Sequence, residues 1–504
     1  MFKLSRIAIG LLLLSLGLHL LTAWHSSGIF NTDEHFQIFE YLNYKLGRVP
    51  AVHLPWEFRD RARPWLQPAM YYGLLKTFQA VGGAFDPFRF ATFARFFSAV
   101  IGWLSLVALF LSHDRWFKRE NLKLASLWAL SLFYFFPFFH ARTSSENLGA
   151  SFLAFAVALL TLGGEGVLAA LGTGLLLGLA FEFRFHLGIG IVGLVAWLVF
   201  VRKINRRYVA TLLLGVGIAI IFAAAIDRWG FGEWCFPPWN YFRATVMQGV
   251  GNQWGTDPWW FYFLKIGRGT LFGLGFLIVG GWLFCWVRLP KGLFTWITLP
   301  YLLVHALVAH KEIRFLFPIF QFSVIGFFLA LETLPAYEFG GIFFVFKRVA
   351  GGLILFVNFV ALFRVAFSPL TMELLVLQEI YRLAPERALL FYNDEDPDYF
   401  LGAEQTYYAP KVFHRRLVRV HPWDADDLRK LQTTKDEPVF LFLRMSRQDF
   451  KEFSSVPGNC TRLNIFSEDG GILEKLKFIP SIAKLNQAVI ERGIYHCKIL
   501  GQSS

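Results

Sequence analysis

Asp33 and Glu34 stand side by side in GIFNTDEHFQIFEY, Gly28 to Tyr41, just beyond the almost wholly hydrophobic run Leu11 to Trp24. A carboxylate that close to lipid is costly. It either caps a helix or does chemistry at the membrane surface. Asn31 suits an N-cap, with Glu34 three residues on as its capping-box partner. Asp33 suits the positive end of the helix dipole. Phe36, Phe39, Leu42 and Leu46 follow at helical spacing, which predicts an amphipathic helix lying on the membrane. The two roles are compatible: a cap can hold Asp33 rigid while its carboxylate serves as a general base.

Other polar stretches carry cations. In HKEIRFLFP, His310 to Pro318, Lys311 and Arg314 share a helical face, as do His310 and Arg314. They either snorkel at a helix end or hold a lipid phosphate, for which the arginine fork is well shaped. In ARTSSENLG, Arg142 and Glu146 lie one helical turn apart, and Ser144 or Ser145 can cap the next helix. In FEFRFHLG, alternate spacing puts Glu182, Arg184 and His186 on one side of an extended segment, at an interfacial turn or lining a cavity. LPWEFRDRARPWLQP, Leu54 to Pro68, is dense in Arg and Trp and suits either phosphate or lipid headgroups. Asp227 to Tyr262 is Trp-rich. It forms an interfacial aromatic belt, or it binds sugar by stacking and hydroxyl hydrogen bonds through Trp239, Asn240, Asp257 and Trp259.

The elements that position these groups are membrane spans. Of 504 residues 55% are hydrophobic and only 17% charged, far too apolar for a soluble chain of this length. About eleven spans are expected from run length, near 7–24, 88–111, 124–140, 148–163, 165–181, 188–201, 209–226, 269–287, 293–309, 315–333 and 349–367. The first is read as an uncleaved span and not a signal peptide. A net charge of +13 then belongs to cytoplasmic loops beside anionic headgroups, not to nucleic-acid binding. With a cytoplasmic N-terminus, the inside loops carry Arg115/Lys118/Arg119/Lys123, Arg202/Lys203/Arg206/Arg207, Arg288/Lys291 and Lys347/Arg348. The polar stretches 25–68, 141–147, 182–187, 227–260 and 310–314 all fall on the outer side, as one active site requires. Residues 1–367 form this transmembrane domain. Residues 368–504 are a small outer-side α/β domain with strand-like runs RALLFY and PVFLFLRM. There an oxidising compartment would allow Cys460 and Cys497 to form a disulfide. No Cys-x-x-Cys pair or His/Cys cluster calls for a metal.

Taken in order, these stretches resemble the signatures of the membrane mannosyltransferases of glycosyltransferase family twenty-two, of GT-C architecture, which build GPI anchors and N-glycan precursors. Asn31-Thr32-Asp33-Glu34 stands where that family shows His-Pro-Asp-Glu. RTSSENLG is a shortened form of its Arg-Thr-x-Ser-Asn-x-x-Glu stretch. DRWGFGEWCFPPWNYFR with GTDPWWFY is similar to its Asp-x-x-x-Tyr-Gly…Pro-x-Asn-Phe and Gly-x-x-Pro-Trp-x-x-Tyr pair. HKEIRFLFP is close to its His-Lys-Glu-x-Arg-Phe motif, with Ile313 where a second acid is common. The likeness covers roughly residues 1–330.

The resemblance implies an all-α polytopic GT-C enzyme moving mannose, with inversion, from a polyprenyl-phosphate-mannose donor to a glycolipid-type hydroxyl. It implies Asp33 as general base, with Glu34 positioning the acceptor or tuning Asp33. His310, Lys311, Arg314 and Arg142 then face the donor phosphate. Trp239, Asn240, Asp257, Trp259, Arg184 and His186 are the candidates for acceptor or sugar. No cofactor, metal or nucleic acid is expected, the partners are membrane lipids, and the chain is expected to be a monomer. The expected place is a bacterial inner membrane with a periplasmic active face; the alternative is the endoplasmic reticulum with a lumenal one. The competing readings are a multi-pass lipid or sugar transporter, disfavoured by the lack of an internal repeat, and a noncatalytic scaffold.

Overall fold

The computed structural model describes residues 5–269, 275–335, 342–370, 373–383, 387–392, 407–408, 412–419, 439–446, 460–467 and 490–497. The chain forms two units, one of residues 1–26, 55–84 and 91–367, the other of residues 27–54, 85–90 and 368–504.

The first unit is built from apolar helices: α1 (Arg6–His25), α2 (Pro87–Leu111), α3 (Glu120–Leu132), α4 (Ser145–Leu162), α5 (Val167–Phe183), α6 (Leu187–Ala196), α7 (Arg206–Phe231), α8 (Gly275–Arg288), α9 (Leu293–Leu307), α10 (Phe320–Glu332) and α11 (Ile342–Phe367). A 3-10 segment, Ile313–Ile319, leads into α10. Among the described residues six helical segments are long and apolar enough to cross a membrane, and four more apolar helices are shorter.

Helices α5 and α7 approach backbone to backbone. Gly174 and Gly178 on one face Gly215 and Ala219 on the other, and a Cβ at Gly174 would collide with the Leu212 carbonyl oxygen. Small residues at four-residue spacing allow this close contact between helices in lipid.

The span expected over 124–140 is in two pieces. α3 ends at Leu132, the next residue, Phe133, is extended, and a short helix, Phe135–His140, follows. Pro137 is the cause: its ring excludes the carbonyl of the residue four back, Phe133, from a helical position. The interrupted backbone is satisfied by one side chain from α11. Asn358 accepts from the Tyr134 N–H at 3.0 Å and donates to the Leu132 carbonyl at 2.9 Å. Broken helices survive in lipid only when their freed groups find such partners. Asn358→Leu is therefore expected to destabilise the protein by about 1–3 kcal/mol, seen as a lowered melting temperature in detergent. An unchanged melt would mean that the break is satisfied otherwise.

The second unit begins with a short helix, Thr32–Glu34, a π turn, His35–Phe39, and a helix, Glu40–Lys45. The face expected to lie on the membrane is instead packed within this unit. Leu42 is fully buried and the Phe39 ring lies 4.8 Å from that of Tyr407. Glu40 fixes the arrangement by accepting from the His35 ring (2.8 Å), the Asn43 amide (3.1 Å) and the Tyr407 N–H (2.9 Å). These polar bonds hold the segment against protein, which hydrophobic spacing alone does not specify. Further along come α12 (Glu373–Leu383) and a five-stranded sheet of β1 (Arg387–Tyr392), β2 (Val412–Arg419), β3 (Val439–Ser446), β4 (Cys460–Ser467) and β5 (Ile490–Cys497). Its order is β2-β1-β3-β5-β4, with β1 parallel to β2 and β3, and β5 antiparallel to β3 and β4. The register sets Cys460 opposite Cys497.

Candidate active site

In the first unit the site is assembled at the start of α4. Ser144 is its N-cap, accepting from the Asn147 N–H at 3.3 Å. The Asn147 amide then donates to the carbonyls of His140 (2.7 Å) and Arg142 (2.9 Å), folding the preceding loop onto the helix start. This geometry directs Glu146, in the first turn, into the interior, where it is 2% exposed.

Glu146 joins two arginines remote in sequence. Its Oε1 lies 2.9 Å from Arg184 Nη2 and 3.4 Å from Arg314 Nη1. Arg184 has an extended backbone between α5 and α6, and its Nη1 also donates to Ser145 Oγ at 3.4 Å. Arg314 forks onto Glu312, with Nε to Oε2 at 2.6 Å and Nη2 to Oε1 at 2.9 Å, the strong bidentate geometry. The Phe315 ring is shared by both guanidinium groups, at 5.6 Å from Arg184 and 5.4 Å from Arg314.

Lys311 and His310 sit on the adjoining loop. Lys311 Nζ donates to the carbonyls of Asp257 (2.6 Å) and Val308, and the Asp257 N–H donates to Ala309 O at 3.0 Å. The two loops are thereby tied together. Burial lowers the Lys311 pKa, an effect partly offset by the Asp257 carboxylate. His310 bonds to Gly255 O through Nδ1 (3.0 Å) and to Glu312 Oε1 through Nε2 (3.3 Å). Arg142 donates to Ser26, both carbonyl (2.7 Å) and hydroxyl (2.8 Å). His186 shares a 2.7 Å hydrogen bond with the Tyr241 hydroxyl, and burial, reinforced by Arg184, holds its pKa well below the usual imidazole range.

In the second unit, Asn31 Oδ1 accepts from the Asp33 N–H at 2.9 Å, so the helix start is capped by Asn31. Asp33 is half-buried and Glu34 buried. The π turn follows at once, a distortion often found at functional sites.

The profile of the Alg9-like mannosyltransferase family matches residues 10–398. The chain belongs to that family. GPI alpha-1,2-mannosyltransferase 3 of Mus musculus is 24% identical over 480 residues, covering 91% of this chain and 82% of the mouse protein. The Danio rerio protein of the same name is 30% identical over 157 residues, 31% of this chain, and there the chain spans only 26% of the relative's length. Among solved structures, ArnT from Cupriavidus metallidurans bound to undecaprenyl phosphate superposes with a TM-score of 0.55 at 13% identity, covering 96% of this chain and 97% of ArnT. The fold is thus the GT-C architecture implied by the sequence motifs.

The family motifs meet only in part. Arg314, His310 and Arg184 belong to one connected set, bridged by Glu146 and Glu312, and Lys311, next to His310 in the chain, holds the backbone of Asp257 beside it. Glu146 pairs with Arg184 and Arg314 and not with Arg142, because Arg142 precedes the Ser144 cap and lies outside the helix. Glu182, Arg184 and His186 do not line one side of an extended segment. Helix α5 runs through Phe183, only Arg184 is extended, and His186 already has helical backbone. Trp239 and Trp259 are 53% and 59% exposed, and Asn240 donates to Arg61 O at 3.2 Å, so these three stand outside the connected set. The carboxylates Glu146 and Glu312 were in the quoted motifs, but nothing in their spacing showed that they hold the arginines.

Proposed function

We propose that this member of the Alg9-like family transfers mannose from polyprenyl-phosphate-mannose to a hydroxyl of a glycolipid-type acceptor, with inversion. The observation that carries the reading is the gathering of three buried cations, Arg184, Arg314 and Lys311, at the ends of apolar helices, with Glu146 and Glu312 holding the two guanidinium groups in place. Preorganised cations at that depth suit a phosphate delivered on a lipid.

The reaction needs little more than positioned charge. The acceptor oxygen forms a bond to the anomeric carbon from the face opposite the phosphate. The bond from that carbon to the phosphate oxygen breaks, and its electron pair leaves with the phosphate. The acceptor proton goes to a carboxylate, the role of Asp33, with Glu34 positioning the hydroxyl. Lys311, Arg314, His310 and Arg142 stabilise the charge that develops on phosphate. Arg184 orients the set through Glu146. Trp239, Asn240, Asp257, Trp259 and His186 remain candidates for sugar or acceptor contact. ArnT, of the same fold, is bound to undecaprenyl phosphate in its solved structure, a carrier of the proposed chemical kind. The active face is the outer one: periplasmic in a bacterial membrane, lumenal in the endoplasmic reticulum, the second supported by the eukaryotic relatives.

Arg314→Ala is expected to weaken donor use by roughly 1.5–3 kcal/mol, the scale of a charged hydrogen bond. Arg314→Lys keeps charge but loses the fork onto Glu312, so it too is expected to reduce donor use. Steady-state kinetics against donor concentration test both, and wild-type donor kinetics in Arg314→Ala would reassign this residue to snorkelling. Impermeant thiol reagents should label single cysteines introduced at 310–314 from the side opposite to those at 202–207. Labelling of both from one side would contradict the orientation.

A further inference from the structure

The far ends of the helices that carry Glu146 and follow Arg314 enclose a second polar region. Glu146 opens α4 while Leu160 and Thr161 close it, and Glu332 is the last residue of α10. All three of these latter residues line a cavity of about 750 Å3 in the first unit. The 18 residues of α4 extend about 27 Å at 1.5 Å per residue, close to the thickness of a bilayer core. The cavity therefore lies at the opposite membrane face from the candidate donor-phosphate site.

Its lining is amphipathic. Leu160, Leu293, Phe294 and Leu329 supply apolar surface, and the half-buried indoles of Trp116 and Trp197 stand beside them. Trp is favoured at this depth, where lipid meets headgroup. Three cations complete the lining: Arg115, Lys118 and Arg202, all exposed. Among the described residues the side chains of Arg115 and Lys118 meet no carboxylate, and Arg202 lies 3.5 Å from Glu165. The acid in the lining, Glu332, is already committed, since its carboxylate accepts the backbone N–H groups of Lys118 (2.8 Å) and Arg119. These cations come from two basic loops that the sequence places on a common face, 113–123 and 202–207.

We propose that this cavity binds the phosphate headgroup of an anionic phospholipid, with an acyl chain lying on the Leu and Phe surface. Free phosphate would satisfy the cations but leave that apolar surface and both indoles unused. A basic pocket between helix ends at the headgroup level is the arrangement that selects anionic lipid. The inference does not rest on the transfer reaction.

The test is native mass spectrometry of the full chain purified in detergent and titrated with phosphatidylglycerol, phosphatidylcholine or inorganic phosphate. The wild type is expected to retain one phosphatidylglycerol in preference to phosphatidylcholine, and millimolar phosphate is expected not to displace it. Each cation removed near a headgroup lowers affinity about fivefold. Arg115→Gln alone should show one such step, and Arg115→Gln/Lys118→Gln/Arg202→Gln should abolish retention. The control Lys203→Gln/Arg206→Gln/Arg207→Gln removes equal charge outside the cavity lining and should retain the lipid. Equal retention by the wild type and the cavity triple variant would overturn the proposal. So would equal loss in the control, which would assign the effect to diffuse basic charge, and so would displacement by inorganic phosphate.

Discussion

Asp33→Asn is expected to slow mannosyl transfer by about 10²–10⁴-fold, the usual cost of a lost general base, with an unchanged thermal melt. The structure sharpens this expectation. The helix start is already capped by Asn31, whose side chain accepts the Asp33 N–H, so the Asp33 carboxylate is not needed as a cap. Asn has nearly the same shape and also suits a helix start. A purely capping Asp33 would therefore tolerate the change. Single-turnover transfer in nanodiscs, beside a melt of each variant, separates the two roles. Glu34→Gln should be milder, because a positioning group still hydrogen bonds as an amide. Near-normal turnover in Asp33→Asn would remove this residue from the mechanism.

Glu146→Ala is expected to be the most destabilising single change in the first unit. It would leave the buried Arg184 without its carboxylate while Arg314 keeps Glu312, and loss of one partner of a buried ion pair costs about 3–5 kcal/mol. Glu146→Gln retains an acceptor oxygen without the charge and should cost less. Glu146→Leu combined with Arg184→Met should recover part of the loss, since it removes a charge of each sign. Thermal melts in one detergent give the order Ala below Gln. A Glu146→Ala melt equal to that of the wild type would show that the Arg184 guanidinium reaches water.

The sequence made the apolar runs and the motif order legible, because span length and local composition are local properties. What it could not show was pairing over long separations. Arg314 and Lys311 were expected to share a helical face, yet the 3-10 segment begins only at Ile313. Arg314 instead reaches Glu312 two residues back and Glu146 on α4. Hydrophobic count likewise predicted one span over 124–140. Pro137 was visible there as a breaker, but the Asn358 side chain that makes the break tolerable lies more than 200 residues away in sequence. The segment after Asp33 shows the same limit. Its apolar spacing fits a membrane-bound face as well as a buried one, and the bond from Tyr407 to Glu40 decides for burial.

The central claim is mannosyl transfer from a lipid phosphate. It is tested most directly by incubating the full chain in nanodiscs with radiolabelled polyprenyl-phosphate-mannose and a membrane lipid extract, then resolving the labelled lipids. The account predicts a labelled glycolipid of the opposite anomeric configuration to the donor, formed by the wild type and nearly lost in Asp33→Asn. Label that remains wholly on the donor with the wild type, while intact donor crosses the membrane of a sealed vesicle containing the chain, would contradict it and identify a transporter.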